Sequence, residues 1–113
     1  MVGDEKRRAT EIARLNDHLR RTLTGGKVVI TPGMAALAPE VIQVIMAAVQ
    51  EFQAFTPVND PWDEHDCAVV TVQGIRVLWK IGCYDRSMTY ASPDPTDPSV
   101  TTRVLTVMLA EEY

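Results

Sequence analysis

The chain has 113 residues, of which 46% are hydrophobic and 23% are charged, and this excludes a disordered or collagen-like protein. The apolar-rich stretch 34–49 is interrupted by polar residues and is too short to cross a bilayer, and the charged first residues do not lead into a secretory signal. We therefore expect one cytoplasmic domain over 1–113 without membrane contact, with residues 1–10 as a loose N-terminal arm.

The formal net charge of −4 is distributed unevenly along the chain. Residues 1–27 carry seven Lys/Arg and four acids, whereas residues 28–113 carry four Lys/Arg and eleven acids. This asymmetry is typical of a basic arm on an acidic body, and equally of a solvated charged helix.

The first third of the chain predicts a helix and a strand. From about Asp4 to Leu23, Ile and Leu recur at spacings of three and four, which predicts an amphipathic helix that Gly25-Gly26 ends. The β-branched run 27–31 predicts a short strand, whose neighbour in the sheet is left open.

A second helix and a polar loop follow. Residues 38–55 carry apolar side chains at helical spacing, with Pro39 in the first turn, and predict the main buried helix. Residues 56–66 combine two prolines with four acids and fit neither helical nor strand periodicity, which indicates a loop.

Two strand-like runs, 67–72 and 75–84, flank Gln73-Gly74 and predict a tight hairpin with one apolar face. This register puts Cys67 and Cys83 on opposite faces, so we expect free thiols rather than a disulfide. The expected cross-strand pairs are Val72 with Ile75, Val70 with Val77 and Ala68 with Trp79.

A turn at Asp85-Arg86 would add a third strand, with Met88 against Cys83 and Tyr90 against Ile81.

The sequence of the last segment is typical of a helix. Asp97 before Pro98 suits an N-cap followed by the first helical turn, so the sequence predicts a helix from there towards Glu112. Together these elements predict an α+β fold, in which an antiparallel meander of three to four strands is packed by two or three helices.

The stretch Asp63-Glu64-His65-Asp66 joins an imidazole to carboxylates, and such groups can bind a divalent metal or move protons. One alternative is therefore a small metal-dependent hydrolase around Glu64, His65 and Asp66. However, no second His or Cys follows at a ligand spacing, and these side chains could instead bond to loop amides. We predict no catalytic residue, no metal and no cofactor.

Two surfaces could bind a macromolecule. Acidic side chains can occupy a basic groove on a protein partner, and an exposed Trp can anchor such a contact. The predicted partner-binding residues are Asp60, Trp62, Asp63, Glu64, His65 and Asp66. The alternative is nucleic-acid binding through the basic helix, by Arg7, Arg8, Arg14 and Arg21, although interleaved acids also suit ion pairs within the helix.

Residues 59–66 (NDPWDEHD) and 97–113 (DPSVTTRVLTVMLAEEY) resemble a bacterial family of unknown function, found in small proteins often carried on plasmids and other mobile elements. The resemblance runs from about Ile12 to Tyr113. This chain departs from the family at positions 62, 63, 67 and 68, where Tyr, Gly, Phe and Gly are commoner. The resemblance implies no settled activity, but an accessory role such as interfering with a host defence system.

Our leading hypothesis is a non-enzymatic accessory protein of a mobile element that binds an unidentified protein partner, as a monomer or a homodimer.

Overall fold

The computed structural model describes residues 2–113 and contains a four-stranded sheet with helices packed on one face. Within that range the helices are α1 (Val2–Thr22), α2 (Pro32–Ala35) and α3 (Pro39–Glu51), and the strands are β1 (Lys27–Ile30), β2 (Cys67–Val72), β3 (Ile75–Tyr84) and β4 (Thr102–Leu109). Short 3-10 turns, Pro98–Val100 and Ala110–Glu112, flank β4. No helix in this range is long and apolar enough to span a membrane.

The strand order is β1-β4-β3-β2. Strands β2, β3 and β4 form an antiparallel meander, and β1 pairs in parallel with β4. The α+β prediction is therefore confirmed, although the sheet is mixed rather than purely antiparallel.

The β2–β3 hairpin has the predicted register, including Ala68 opposite Trp79. Gln73 and Gly74 both have positive φ, 51° and 79°, which gives the left-handed two-residue turn that matches the twist of paired strands. Trp79 is fully buried. Cys67 and Cys83 are free thiols, and burial raises the pKa of both.

The third strand predicted at residues 88–90 is wrong. Instead of a two-residue turn, Asp85 accepts hydrogen bonds from the Thr89 amide and the Ser87 hydroxyl, and this holds a wider loop. Met88 and Tyr90 are exposed, and only an isolated bridge joins Tyr84 to Ala91.

The predicted final helix is also wrong, because residues 102–109 form β4. Asp97 does cap, since its carboxylate accepts the Ser99 amide, but the turn that it begins ends at Val100. Strand β4 lies between β1 and β3, and apolar side chains are buried on both of its faces: Leu105 and Val107 on one, Val104 and Met108 on the other. This removes the alternation that would have revealed a strand.

Helix α1 is continuous from Val2, so residues 2–10 of the expected loose arm are helical, with mostly exposed side chains from Gly3 onwards. Met1 lies outside the described residues. The helix ends where Leu23 takes a left-handed conformation (φ 58°) and donates its amide to the Leu19 carbonyl.

The core lies between the helices and the sheet. Helix α3 ends at Glu51, earlier than predicted, which frees Phe52 and Phe55 to pack edge-on against Trp79. Fully buried side chains shared by both layers include Leu19, Met34, Ile45, Val49, Val77, Leu105 and Val107.

Gly26 gives a direct test of the α1–β4 packing. An added Cβ would lie 2.5 Å from the Arg103 carbonyl oxygen, so we expect Gly26→Ala to lower the free energy of unfolding by about 1–3 kcal/mol in urea denaturation. Gly3→Ala is the matched control, because its nearest neighbour is 3.9 Å away and Ala favours a helix. It should leave stability unchanged or slightly raised, and equal losses in both variants would contradict the packing.

Candidate functional site

Asp60 organises the polar loop between α3 and β2. Its side chain is 2% exposed, and its Oδ1 accepts the amides of Glu64 (3.2 Å) and His65 (3.1 Å). These bonds hold Asp63 and His65 at positive φ, 57° and 53°, conformations that are costly for non-glycine residues unless neighbouring contacts fix them. Asp60 was predicted to bind a partner, but the structure buries it beneath the loop.

His65 is held between two carboxylates and an aromatic ring. Its Nδ1 lies 3.0 Å from both carboxylate oxygens of Asp17 on α1, and its Nε2 lies 3.5 Å from Oδ2 of Asp60. The imidazole stacks on Phe55, with ring centroids 3.9 Å apart and planes within 2°. His65 thus joins the loop to α1.

Arg20 is fully buried beside this pair. It donates hydrogen bonds to Asp17 (2.9 Å) and to the carbonyls of Val49 (2.9 Å), Gln50 (3.2 Å) and Phe52 (2.9 Å). These carbonyls lie at the end of α3, where a helix leaves carbonyls without donors of its own. Burial lowers the pKa of Arg20, while the hydrogen bond to Asp17 opposes that shift. Arg20 is therefore unavailable to phosphates.

A second buried network starts from Asn16. Its amide donates to the Glu64 carbonyl (2.9 Å) and its Oδ1 accepts from Arg103 Nε (2.8 Å), while Arg103 also donates to the Pro95 carbonyl. Asn16 and Arg103 are 1% and 4% exposed. Asn16 on α1 therefore fixes the polar loop directly. Through Arg103 on β4, it also fixes the proline-rich segment that precedes β4.

A groove of about 1040 Å³ lies between α1 and the polar loop. One wall carries α1 cations, including Lys6, Arg8 and Arg14. The other wall carries Trp62, Asp63, Glu64 and His65. Members of both predicted surfaces therefore meet in one place.

Trp62 is the most exposed large hydrophobic side chain lining this groove, with 76% of its surface exposed. Asp60 and Asn16 hydrogen-bond to the backbone of the loop on which Trp62 stands, and the His65 ring hydrogen-bonds to Asp17, so the loop is fixed. The site thus presents an indole at a defined position, with carboxylates beside it and cations opposite.

The remaining predicted residues lie apart or are already paired. Arg7 and Arg14 form ion pairs with Asp4 (3.6 Å) and Glu11 (2.5 Å) on their own helix. Arg21 is exposed but is not part of the groove wall. The side chain of Asp66 lines a different pocket, beside Cys67.

The surroundings of two carboxyl groups near His65 disfavour their charged form. Burial raises the pKa of Glu64, and the nearby Asp66 and Asp60 add to that effect. Burial also raises the pKa of Asp66. Within residues 2–113 no three His, Cys, Asp or Glu side chains are grouped so that they could hold a metal ion, so the metal-dependent hydrolase hypothesis gains no support.

Sequence reasoning missed several side chains that build the site. Asn16, Asp17 and Arg20 on α1, Phe55 after α3 and Arg103 on β4 all contact the loop or its supports. One signal was present: Asn16 and Arg20 are four residues apart, so they share a helix face, and that face carries Ile12 and Leu19 as well.

One family model, described as a protein of unknown function (DUF3768), matches residues 30–112. No curated protein and no solved structure matches the chain. The matched range begins in β1, includes the polar loop and β4, and leaves α1 outside.

Asn16→Ala tests the second network. It leaves Arg103 Nε and the Glu64 carbonyl without partners in a buried site, so we expect a loss of about 3 kcal/mol in urea denaturation. Gln43→Ala removes an exposed helical amide and should change stability little. Similar values for the two variants would contradict a structural role for Asn16.

Glu64→Gln tests whether the negative charge of Glu64 opposes folding, since such an effect depends on pH. Because the folded-state pKa is raised, charged Glu64 opposes folding above that pKa, and the cost disappears once the group is protonated in both states. We therefore expect the variant to melt higher than wild type at pH 7, and the difference to shrink as pH falls towards the ordinary pKa of a glutamate. Glu111→Gln, at an exposed position, should show no such pattern; a pH-independent gain in Glu64→Gln would contradict the cause.

Proposed function

Taking as premise that the chain belongs to the DUF3768 family of proteins of unknown function, we propose that it is a non-enzymatic accessory protein of a mobile element that binds a protein partner through Trp62. The acidic loop around Trp62 and the facing surface of α1 form the rest of the contact.

The observation that carries this proposal is the exposure of Trp62 on a rigid loop. A Trp side chain offers a large apolar surface with one hydrogen-bond donor, and residues of this type dominate the binding energy of many protein interfaces. Immobilising a flexible loop weakens binding, and here the bonds to Asp60 and Asn16 have already fixed the loop. The conformational entropy of the loop is therefore lost when the protein folds, and not when the partner binds.

The charges of the groove favour a protein over a uniformly charged polymer. Asp63 and Glu64 stand beside Trp62, while Lys6 and Arg8 stand opposite. A partner that carries both signs of charge can match these two walls, and complementary charges set orientation and exclude wrong partners. A polyanion would meet the carboxylates of the loop at close range.

The polar groups that could do chemistry are engaged in holding the structure. Asp60 binds loop amides, and His65 is fixed between Asp17 and Phe55. This supports a binding role rather than catalysis.

The setting of the proposal comes from the resemblance of residues 59–66 and 97–113 to proteins carried on plasmids. An element-encoded protein of this kind acts in the host cytoplasm, and binding a component of a host defence system is the role we propose for it.

The alternative of nucleic-acid binding through α1 is less favoured. Arg7 and Arg14 are paired with acids, and Arg20 is buried. The free cationic surface of this helix is accordingly smaller than the sequence indicates.

The test is affinity purification from a native host with three forms of the protein: wild type, Trp62→Ala and Tyr90→Ala. Tyr90 is a matched control because it is 74% exposed and lies on another loop. We expect a protein that co-purifies with wild type and with Tyr90→Ala but is lost with Trp62→Ala, at unchanged melting temperature. With the purified partner, Trp62→Ala should weaken Kd at least tenfold by calorimetry.

Three results would overturn the proposal. One is a partner retained equally by all three forms, and another is nuclease-sensitive recovery of every co-purifying component. The third is an absence of any component that depends on Trp62.

A further inference from the structure

Within residues 2–113, α1 and α3 pack on one face of the sheet, and the opposite face is only partly covered. Side chains of Trp79, Leu105 and Val107 point towards the helices, so by the pairing register their neighbours along β3 and β4 point to the opposite face. On that face Val29 and Val69 are 45% and 44% exposed, whereas Val104 and Met108 of the interior strand β4 are buried. A hollow on this face is lined by residues of β2, β3 and the segment after β4.

The strand residues of this open face carry three cations and no carboxylate. These are Lys27 on β1 and Arg76 and Lys80 on β3, in a chain whose net charge is −4. All three are exposed, and within residues 2–113 none of them forms an ion pair, unlike Arg7 and Arg14. Two acids, Asp66 and Glu111, also line the hollow on this face.

Two tyrosines stand among these cations. The ring of Tyr84 lies over Gly82, where an added Cβ would be 2.8 Å from Cε2 and 2.9 Å from Oη. The absence of a side chain at Gly82 lets the ring rest on the sheet, and 36% of Tyr84 remains exposed. Tyr113 is 82% exposed, and the Lys80 ammonium lies 5.5 Å from its ring centroid.

We propose that this open face binds a single-stranded nucleic acid. Unpaired bases stack on exposed aromatic rings, while phosphates contact cations that form no ion pair among residues 2–113. Arg76 and Lys80 are four residues apart on one strand, or about 13 Å, so they reach separate phosphates of an extended backbone. A duplex fits less well, because its bases are already stacked and cannot reach the tyrosines.

This site is separate from the Trp62 groove and from the basic helix considered above. It uses strand residues on the opposite side of the sheet from α1 and α3. The two binding activities can therefore be removed independently.

The experiment is fluorescence anisotropy of the full chain with a short fluorescein-labelled oligothymidylate and an oligouridylate, measured over a salt series. We expect Arg76→Gln/Lys80→Gln to weaken binding at least tenfold at low salt. Loss of two phosphate contacts should also make the slope of log K against log salt shallower by about 1.4. Tyr84→Ala should weaken binding about tenfold, whereas Tyr84→Phe should bind like wild type.

Matched controls locate the site. Arg7→Gln/Arg8→Gln removes the same charge from α1, and Tyr90→Ala removes an exposed aromatic elsewhere; both should bind like wild type, as should Trp62→Ala. Loss of binding in the α1 double variant but not in the sheet double variant would overturn the proposal. So would undetectable binding of either oligonucleotide at low salt, or displacement by a polyglutamate peptide at equal charge concentration.

Discussion

Arg20 lies without solvent contact between α1, the end of α3 and the ring of Trp79, and it hydrogen-bonds to three main-chain carbonyls and to Asp17. Helix ends leave carbonyls without donors inside the helix, and Arg20 supplies donors to them here, while the Val49 carbonyl also accepts the Phe52 amide. With Arg20 in place, α3 can stop at Glu51, and Phe52 and Phe55 can turn inwards. Phe55 then supplies the surface on which His65 stacks, so the position of the polar loop depends on this contact.

The buried polar side chains on α1 favour one packing arrangement of the fold over others, because hydrogen bonds require defined directions. Apolar side chains at positions 16 and 20 would pack against many surfaces. The Asn16 amide and the two terminal nitrogens of Arg20 find their hydrogen-bond partners only when the loop, β4 and the end of α3 occupy defined positions. An unpaired charge or amide in such a site is strongly unfavourable, which penalises alternative packings. The same bonds fix Trp62 in space, so the rigidity of the exposed surface and the specificity of the interior have one origin.

The hairpin could be predicted from sequence because its signals are local: Gln73-Gly74 sets the turn, and the alternating pattern around it sets the register. Strand β4 could not, because side chains on both of its faces are buried and this leaves no alternation, while Asp97-Pro98 suggested a helix start that lasts only one turn. Only part of the candidate site could be predicted from the sequence. The motif containing Asp60, Trp62 and His65 could be found, but which of these side chains is buried depends on α1, some 40 residues earlier in the chain. Long-range contacts such as Asn16 with Arg103 leave no pattern within a single segment.

The position of β4 between β1 and β3 has a consequence for how the protein is made. During translation β1, β2 and β3 leave the ribosome first, yet β1 has no partner until residues 102–109 follow. The hairpin can form early from its local turn, whereas closure of the sheet waits for the last strand of the described chain and links positions some 77 residues apart, as in the pairing of Lys27 with Val104. Until then the valines of β1 have an unpaired edge on each side, and this interval is when the nascent chain is most exposed to aggregation and to chaperones.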